Sequence, residues 1–244
     1  MLNLIKMNFY YSIKSKIMWI LLGISIVLIM VLYGMTDFSP DSSKLLTLIE
    51  MIKGEDALII LAVFSISLVG AKYKTGYIKN IGNHYGNSKL FGADLITVGT
   101  FTVVLFAVIL VTNILCSAFN NVWVNGTDII EILPFMAVQI IQHIAFMSII
   151  VFMVNMVENV TACMAIGISY ICLISIVLWN AINTIIEKKI PGFSILDYVI
   201  THNVAMLSYK TDIAVYIKIT ILSVGTIMLF TLLDVLLSKK KDVC

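Results

Sequence analysis

Between Glu131 and Glu187 the chain runs for 55 residues with a single formal charge, Glu158. A soluble domain places about one charged residue in four along its length, and no water-facing surface can be made from a stretch so poor in charge. As one helix it would be roughly 80 Å long against a hydrocarbon layer of about 30 Å. The chain must therefore turn back within it, and Asn155, Glu158 and Asn159 mark the place. Residues 17–36, 57–71, 95–127 and 219–233 form further uncharged runs. With 60% of the 244 residues hydrophobic and 12% charged, no segment is long and polar enough for a separate catalytic domain. The expectation is an all-α polytopic membrane protein, a single transmembrane domain over 1–244 with six transmembrane helices.

Charge sets the orientation. The spans are placed at about 17–36, 52–71, 94–119, 132–156, 160–180 and 213–237. The second has only 15 uncharged residues, about 22 Å of helix, so residues 51–56 must supply its outer turn. Six spans put both termini in the cytoplasm, with ten lysines inside and six outside. Dropping the second span would carry Lys239, Lys240 and Lys241 outside and reverse every later loop against the positive-inside rule. All 16 basic residues are lysine, a usage that leans towards an AT-rich bacterial genome and hence a bacterial plasma membrane. The run at 17–36 is too long for a signal peptide and no small-residue cleavage site follows it, so it is read as a retained helix.

Three segments are not simple spans. Residues 2–16 carry Leu2, Ile5, Phe9 and Ile13 on one helical stripe, with two tyrosines and three lysines. They read either as an interfacial helix along the inner leaflet or as a positively charged anchor for the first span. Residues 72–94 form the longest cytoplasmic loop, whose four lysines and three tyrosines suit anionic lipid headgroups or a helix docking on a soluble partner. Residues 180–212 are too apolar for a plain outer loop and suggest two short helices about Pro191 and Gly192, part-buried in the outer leaflet or the protein.

This arrangement resembles the permease subunit of type-2 ABC transporters over essentially the whole chain. Those permeases have an elbow helix, six spans, a coupling helix between spans two and three, and a part-buried outer segment between spans five and six. The most specific local match is the run Ala71, Lys72, Tyr73, Lys74, Thr75, Gly76, Tyr77, Ile78, Lys79, Asn80. It is similar to the family's acidic-aromatic-basic-x-Gly-Thr-Ile-Lys-Asn pattern, departing from it at Lys72, where the family usually has Glu, and at Tyr77, where it usually has Thr. The resemblance implies that Tyr73, Lys74, Gly76, Tyr77, Ile78, Lys79 and Asn80 couple the chain to a separate cytoplasmic ATPase carrying ATP and Mg. It also implies a second permease, identical or related. Size and isoleucine-rich spans are similar to small permeases that clear bacteriocins and lantibiotics from Gram-positive membranes. The function so implied is ATP-driven export of an amphipathic or lipophilic substrate, plausibly an antimicrobial peptide. The alternative is a non-transporting anchor or sensor that recruits a cytoplasmic partner through 72–94. Membrane lipids are expected partners, and nucleic acid is not.

The residues themselves agree on one point of that division of labour. No G-x-x-x-x-G-K-[ST] stretch occurs, so a nucleotide's phosphates must be held elsewhere. Gln139, Gln142 and His143 fall on one face of span four at i, i+3 and i+4, where they would either line a translocation path or hydrogen-bond a neighbouring helix. Thr97, Thr100 and Thr112 weigh less, since threonine hydroxyls bond their own helix. His84, His143 and His202 have no ligand spacing, Cys116, Cys163, Cys172 and Cys244 form no metal or redox motif, and no nucleophile elbow occurs. Neither an enzyme nor a metal site is expected. Asp94, Glu158 and Asp234 are read as solvated helix-end carboxylates rather than an acidic cluster. Lys218, one turn into the last span, is read as extending its stem to the headgroups, with a transport charge as the alternative.

Overall fold

The computed structural model describes residues 1–35, 55–74, 87–119, 126–208 and 210–241. Among these, nine α-helices occur and no strand. Five helices are long and apolar enough to cross a membrane: α2 (Lys16–Met35), α3 (Glu55–Lys74), α4 (Asn87–Phe119), α5 (Gly126–Val157) and α9 (Ile213–Lys241). A sixth crossing is available from a bent pair, α6 (Val160–Ser169) with its π-helical continuation Tyr170–Ile174, and α7 (Ser175–Lys189), which meet at 49°. Among the described residues the protein is thus all-helical, with five helices, or six if the bent pair is one span, long and apolar enough to cross a membrane. Such segments are helical because a chain in hydrocarbon must satisfy its backbone polar groups internally.

Hydrophobic length alone does not set where these helices end. Helix α4 begins at Asn87, two turns before the expected 94, and at 33 residues is about 50 Å long. The segment expected as a loop over 72–94 therefore shortens, since 72–74 complete α3 and 87–94 open α4. Helix α5 starts at Gly126 rather than 132 and carries Pro134 in its interior. Helix α7 runs to Lys189, beyond the expected end of span five at 180. After it come a turn at Pro191 and Gly192, a 3-10 turn Ile195–Tyr198, and α8 (Ile200–Met206). Only α8 and the 3-10 turn follow Gly192, so the pair of short helices is unequal and the first is the end of a long one.

Two residues separate α5 from α6. Glu158 adopts φ 56°, in the left-handed region that closes helix C-termini, and Asn159 caps α6 by accepting from the backbone N–H groups of Thr161 and Ala162 at 3.1 and 3.2 Å. Helices α6 and α3 then lie very close, for a Cβ placed on Gly70 would collide with Val160 Cγ2. The main apolar core joins α2, α3, α4, α5 and α6 through residues such as Leu58, Leu61, Leu105 and Met147, and includes Phe64 stacked on Phe101 at 3.8 Å. Helix α9 packs chiefly along α5.

Candidate functional site

The N-terminal helix α1 (Leu2–Lys14) ends at Ser15, whose extended backbone separates it from α2, and the indole Nε1 of Trp19 donates back to Ile13 O at 2.8 Å across the bend. The face it buries is Leu4, Asn8 and Ser12, against α4. Leu2 and Ile13, from the apolar stripe, point outward. Ile5 of the same stripe packs beside Leu4 against Leu90 and Ala93, so the stripe divides between the protein and its surroundings.

Asn8 finds that partner in Asp94. Its Nδ2 donates to Asp94 Oδ1 at 2.7 Å, and the same carboxylate is ion-paired with Lys72 Nζ. Lys72 and Asp94 are only 7% and 2% exposed. One buried carboxylate thereby fastens the end of α3 to the first turns of α4 and to α1. The expectation of solvated helix-end carboxylates is corrected for Asp94, and for Asp234, which is also buried, while Glu158 is exposed. All three act electrostatically on Tyr73, the next residue along α3. The Tyr73 hydroxyl itself donates to Asn155 Oδ1 at 3.1 Å, tying α3 to the last turn of α5. Opposite charges brought together from positions 72 and 94 leave no periodic signal in the sequence; Lys72 was legible only as a departure from a family pattern.

Tyr73 and Lys74 are the last residues of α3, so two of the expected coupling residues stand directly beside this clamp. Gly76, Tyr77, Ile78, Lys79 and Asn80 lie outside the described residues. In sequence comparisons, no protein-family model matches the chain and no curated protein is significantly similar to it.

The second polar group lies deep in the bundle. Gln139, Gln142 and His143 are all fully buried on α5. Gln139 Nε2 donates to Val204 O of α8 at 3.1 Å, and His143 Nδ1 donates to Gln139 O at 2.7 Å, which fixes that tautomer. The imidazole meets Phe106 of α4 edge to face at 5.0 Å. Among the described residues, Gln139 Oε1, both polar atoms of Gln142 and His143 Nε2 have no partner, and of the three side chains Gln139 alone bonds another helix. A buried polar group left without any partner costs about 1–3 kcal/mol. Thr97 and Thr100 donate to their own helix at i−4, as expected of them.

Lys218 does not simply reach for headgroups. Its Nζ pairs with Asp197 Oδ2 at 2.9 Å and stands 5.2 Å from the centre of the Tyr198 ring, joining α9 to the 3-10 turn. The carboxylate was missed because it lies 21 residues away in an irregular segment. Both partners are about half exposed, so the pair orients the segment more than it stabilises it. Among the described residues no group of His, Cys, Asp and Glu is arranged to hold a metal ion.

Proposed function

We propose that the chain is the permease subunit of an ATP-driven type-2 ABC exporter, working with a separate cytoplasmic ATPase and a second permease chain in a bacterial plasma membrane. The observation that carries this reading is the clamp of Lys72 near the end of α3, Asp94 two turns into α4 and Asn8 of α1, which joins the helices on either side of residues 75–86. A loop that transmits force must be anchored stiffly on both sides, because a compliant anchor would absorb the displacement locally. Here the outgoing helix, the returning helix and α1 meet on one carboxylate, so a push on the loop moves three elements together. In this reading α1 is the elbow helix and α8 with the 3-10 turn is the part-buried outer segment, while the expected coupling residues 76–80 lie outside the described residues.

The partly satisfied face of Gln139, Gln142 and His143 supplies the second half of the mechanism. Polar groups without partners favour a rearranged state in which they meet water, a substrate's polar face or another helix. Closure transmitted through α3 and α4 would expose them alternately, giving an amphipathic cargo such as an antimicrobial peptide a polar stripe through an apolar wall.

Reconstitution tests it. Vesicles holding the chain with its co-purifying ATPase should move a fluorescently labelled lantibiotic in an ATP-dependent manner, and acidic substitutions at Gly76 and Ile78 should abolish movement while insertion stays intact. Partner recruitment without any ATP-dependent movement would instead support an anchor or sensor.

A further inference from the structure

Helix α8 has seven residues, too few to be helical on its own, so its shape depends on its seat. Extended residues bound it on both sides, Val199 at φ −91° and ψ 116° and Leu207 at φ −65° and ψ 129°, and no side chain caps its N-terminus. Ile200 and Val204 reach the main apolar core, and Leu207 joins the smaller cluster around Phe106 and Phe135. At its C-terminal end Asn203 O accepts from Leu207 N at 3.0 Å, but the N–H of Ser208, which would satisfy Val204 O by continuing the helix, donates to Thr211 Oγ1 at 3.0 Å instead. Gln139 Nε2 takes its place at 3.1 Å. Gln139 thus caps α8 from another helix, and Gln142 and His143 lie one turn further along the same face of α5. The other polar ties of the segment are nearer the surface: Asp197 to Lys218, and Ser194 Oγ and Ile195 N to Asn183 Oδ1 at 3.1 and 2.9 Å. Seating has a cost as well, because Thr201 Oγ1 on the buried side of α8 and Gln139 Oε1 find no partner among the described residues.

From this geometry we propose that α8 is a plug seated on the polar face of α5 by Gln139. In place it covers that face, and in a minor state it lifts on its two extended joints and admits water to Gln142 and to its own underside at Thr201. The balance follows from the contacts. Ile200, Val204 and Leu207 keep the seated state dominant, while the unmet polar atoms gain water partners on release and offset part of that loss. A short helix joined by extended residues and held by few polar ties is the kind of unit that opens by itself, ahead of the bundle. The inference does not rest on the exporter reading, since seat and cap belong to this chain alone.

Cysteine labelling of the full chain in mild detergent, without nucleotide or ATPase, tests it. Cys116, Cys163, Cys172 and Cys244 are replaced by alanine, and single cysteines are introduced as Gln142→Cys, Thr201→Cys or Ala62→Cys, the last in the main core on α3. A water-soluble maleimide should modify the first two slowly and the third more slowly still. Adding Gln139→Met, which keeps the side-chain length and removes the donor, should raise the rates at 142 and 201 about fivefold, the effect of one net hydrogen bond, and leave the rate at 62 unchanged. Rates at 142 and 201 that ignore Gln139→Met would overturn the proposal, as would an equal rise at 62, which would mean that the whole bundle loosens. Hydrogen exchange of the unsubstituted chain gives a second reading: the amides of 200–207 should exchange about tenfold faster than those of 139–147, and equal protection would overturn the plug as well.

Discussion

At Lys72 and Asp94 two charges leave water together, and the consequence of removing one differs from that of removing both. Lys72→Ala strands a carboxylate at 2% exposure, and thermal unfolding in detergent should show a loss of about 3–5 kcal/mol, whereas Lys72→Met with Asp94→Leu should lose less, about 1–3 kcal/mol for the Asn8 amide left without its acceptor. Equal losses for the single and double variants would mean that the pair itself, and not its balance, holds the helices. The orphaned atoms of Gln142 argue the opposite way. Gln142→Met removes two unmet polar atoms while keeping volume, so it should raise stability by about 1–3 kcal/mol in the same assay and reduce transport. At Glu158 the backbone φ of 56° suits Gly or Asn and penalises a β-branched residue. Glu158→Val should therefore lower the unfolding midpoint clearly more than Glu158→Gly.

Between elements, the tightest approach is that of α3 and α6 at Gly70. Gly70→Ala drives a methyl group into Val160, whose branched side chain has little freedom to move, so overpacking of about 1–3 kcal/mol is expected, partly relieved by Val160→Ala. A midpoint unchanged by Gly70→Ala would show that the two helices separate easily. How much of this was legible differs by element. The uncharged runs announced most of the apolar helices and the reversal at Glu158 and Asn159, because lipid imposes one rule on every residue of a span. Helix ends were not legible. Asn87 to Ala93 are polar and mixed, yet they are helical because Leu90, Phe91 and Ala93 are buried in the structure, with Leu90 and Ala93 packing beside Leu4 of α1. The apolar stripe of α1 was legible and its orientation was not, since whether apolar residues face inward depends on whether the outside is water or lipid. The face at Gln139, Gln142 and His143 could be read from spacing alone, but the partner of Gln139, Val204 O, is a backbone atom that no side-chain pattern reveals.

For the molecule as a whole, the Lys72–Asp94–Asn8 contacts join α1, α3 and α4 on one carboxylate, and the proposed function uses them as the rigid anchor through which a partner's push would act. The proposed exporter reading assigns that push to a partner ATPase, in keeping with the lack of a G-x-x-x-x-G-K-[ST] stretch in the sequence. The measurement that tests this most directly is mild-detergent purification of the tagged chain from its native membrane with quantitative mass spectrometry of what accompanies it. The account predicts an ATPase in near-stoichiometric amount, lost when Gly76 and Tyr77 are changed although the chain still inserts. A chain that emerges alone under several gentle conditions, or an ATPase that stays bound after both residues are changed, would contradict it.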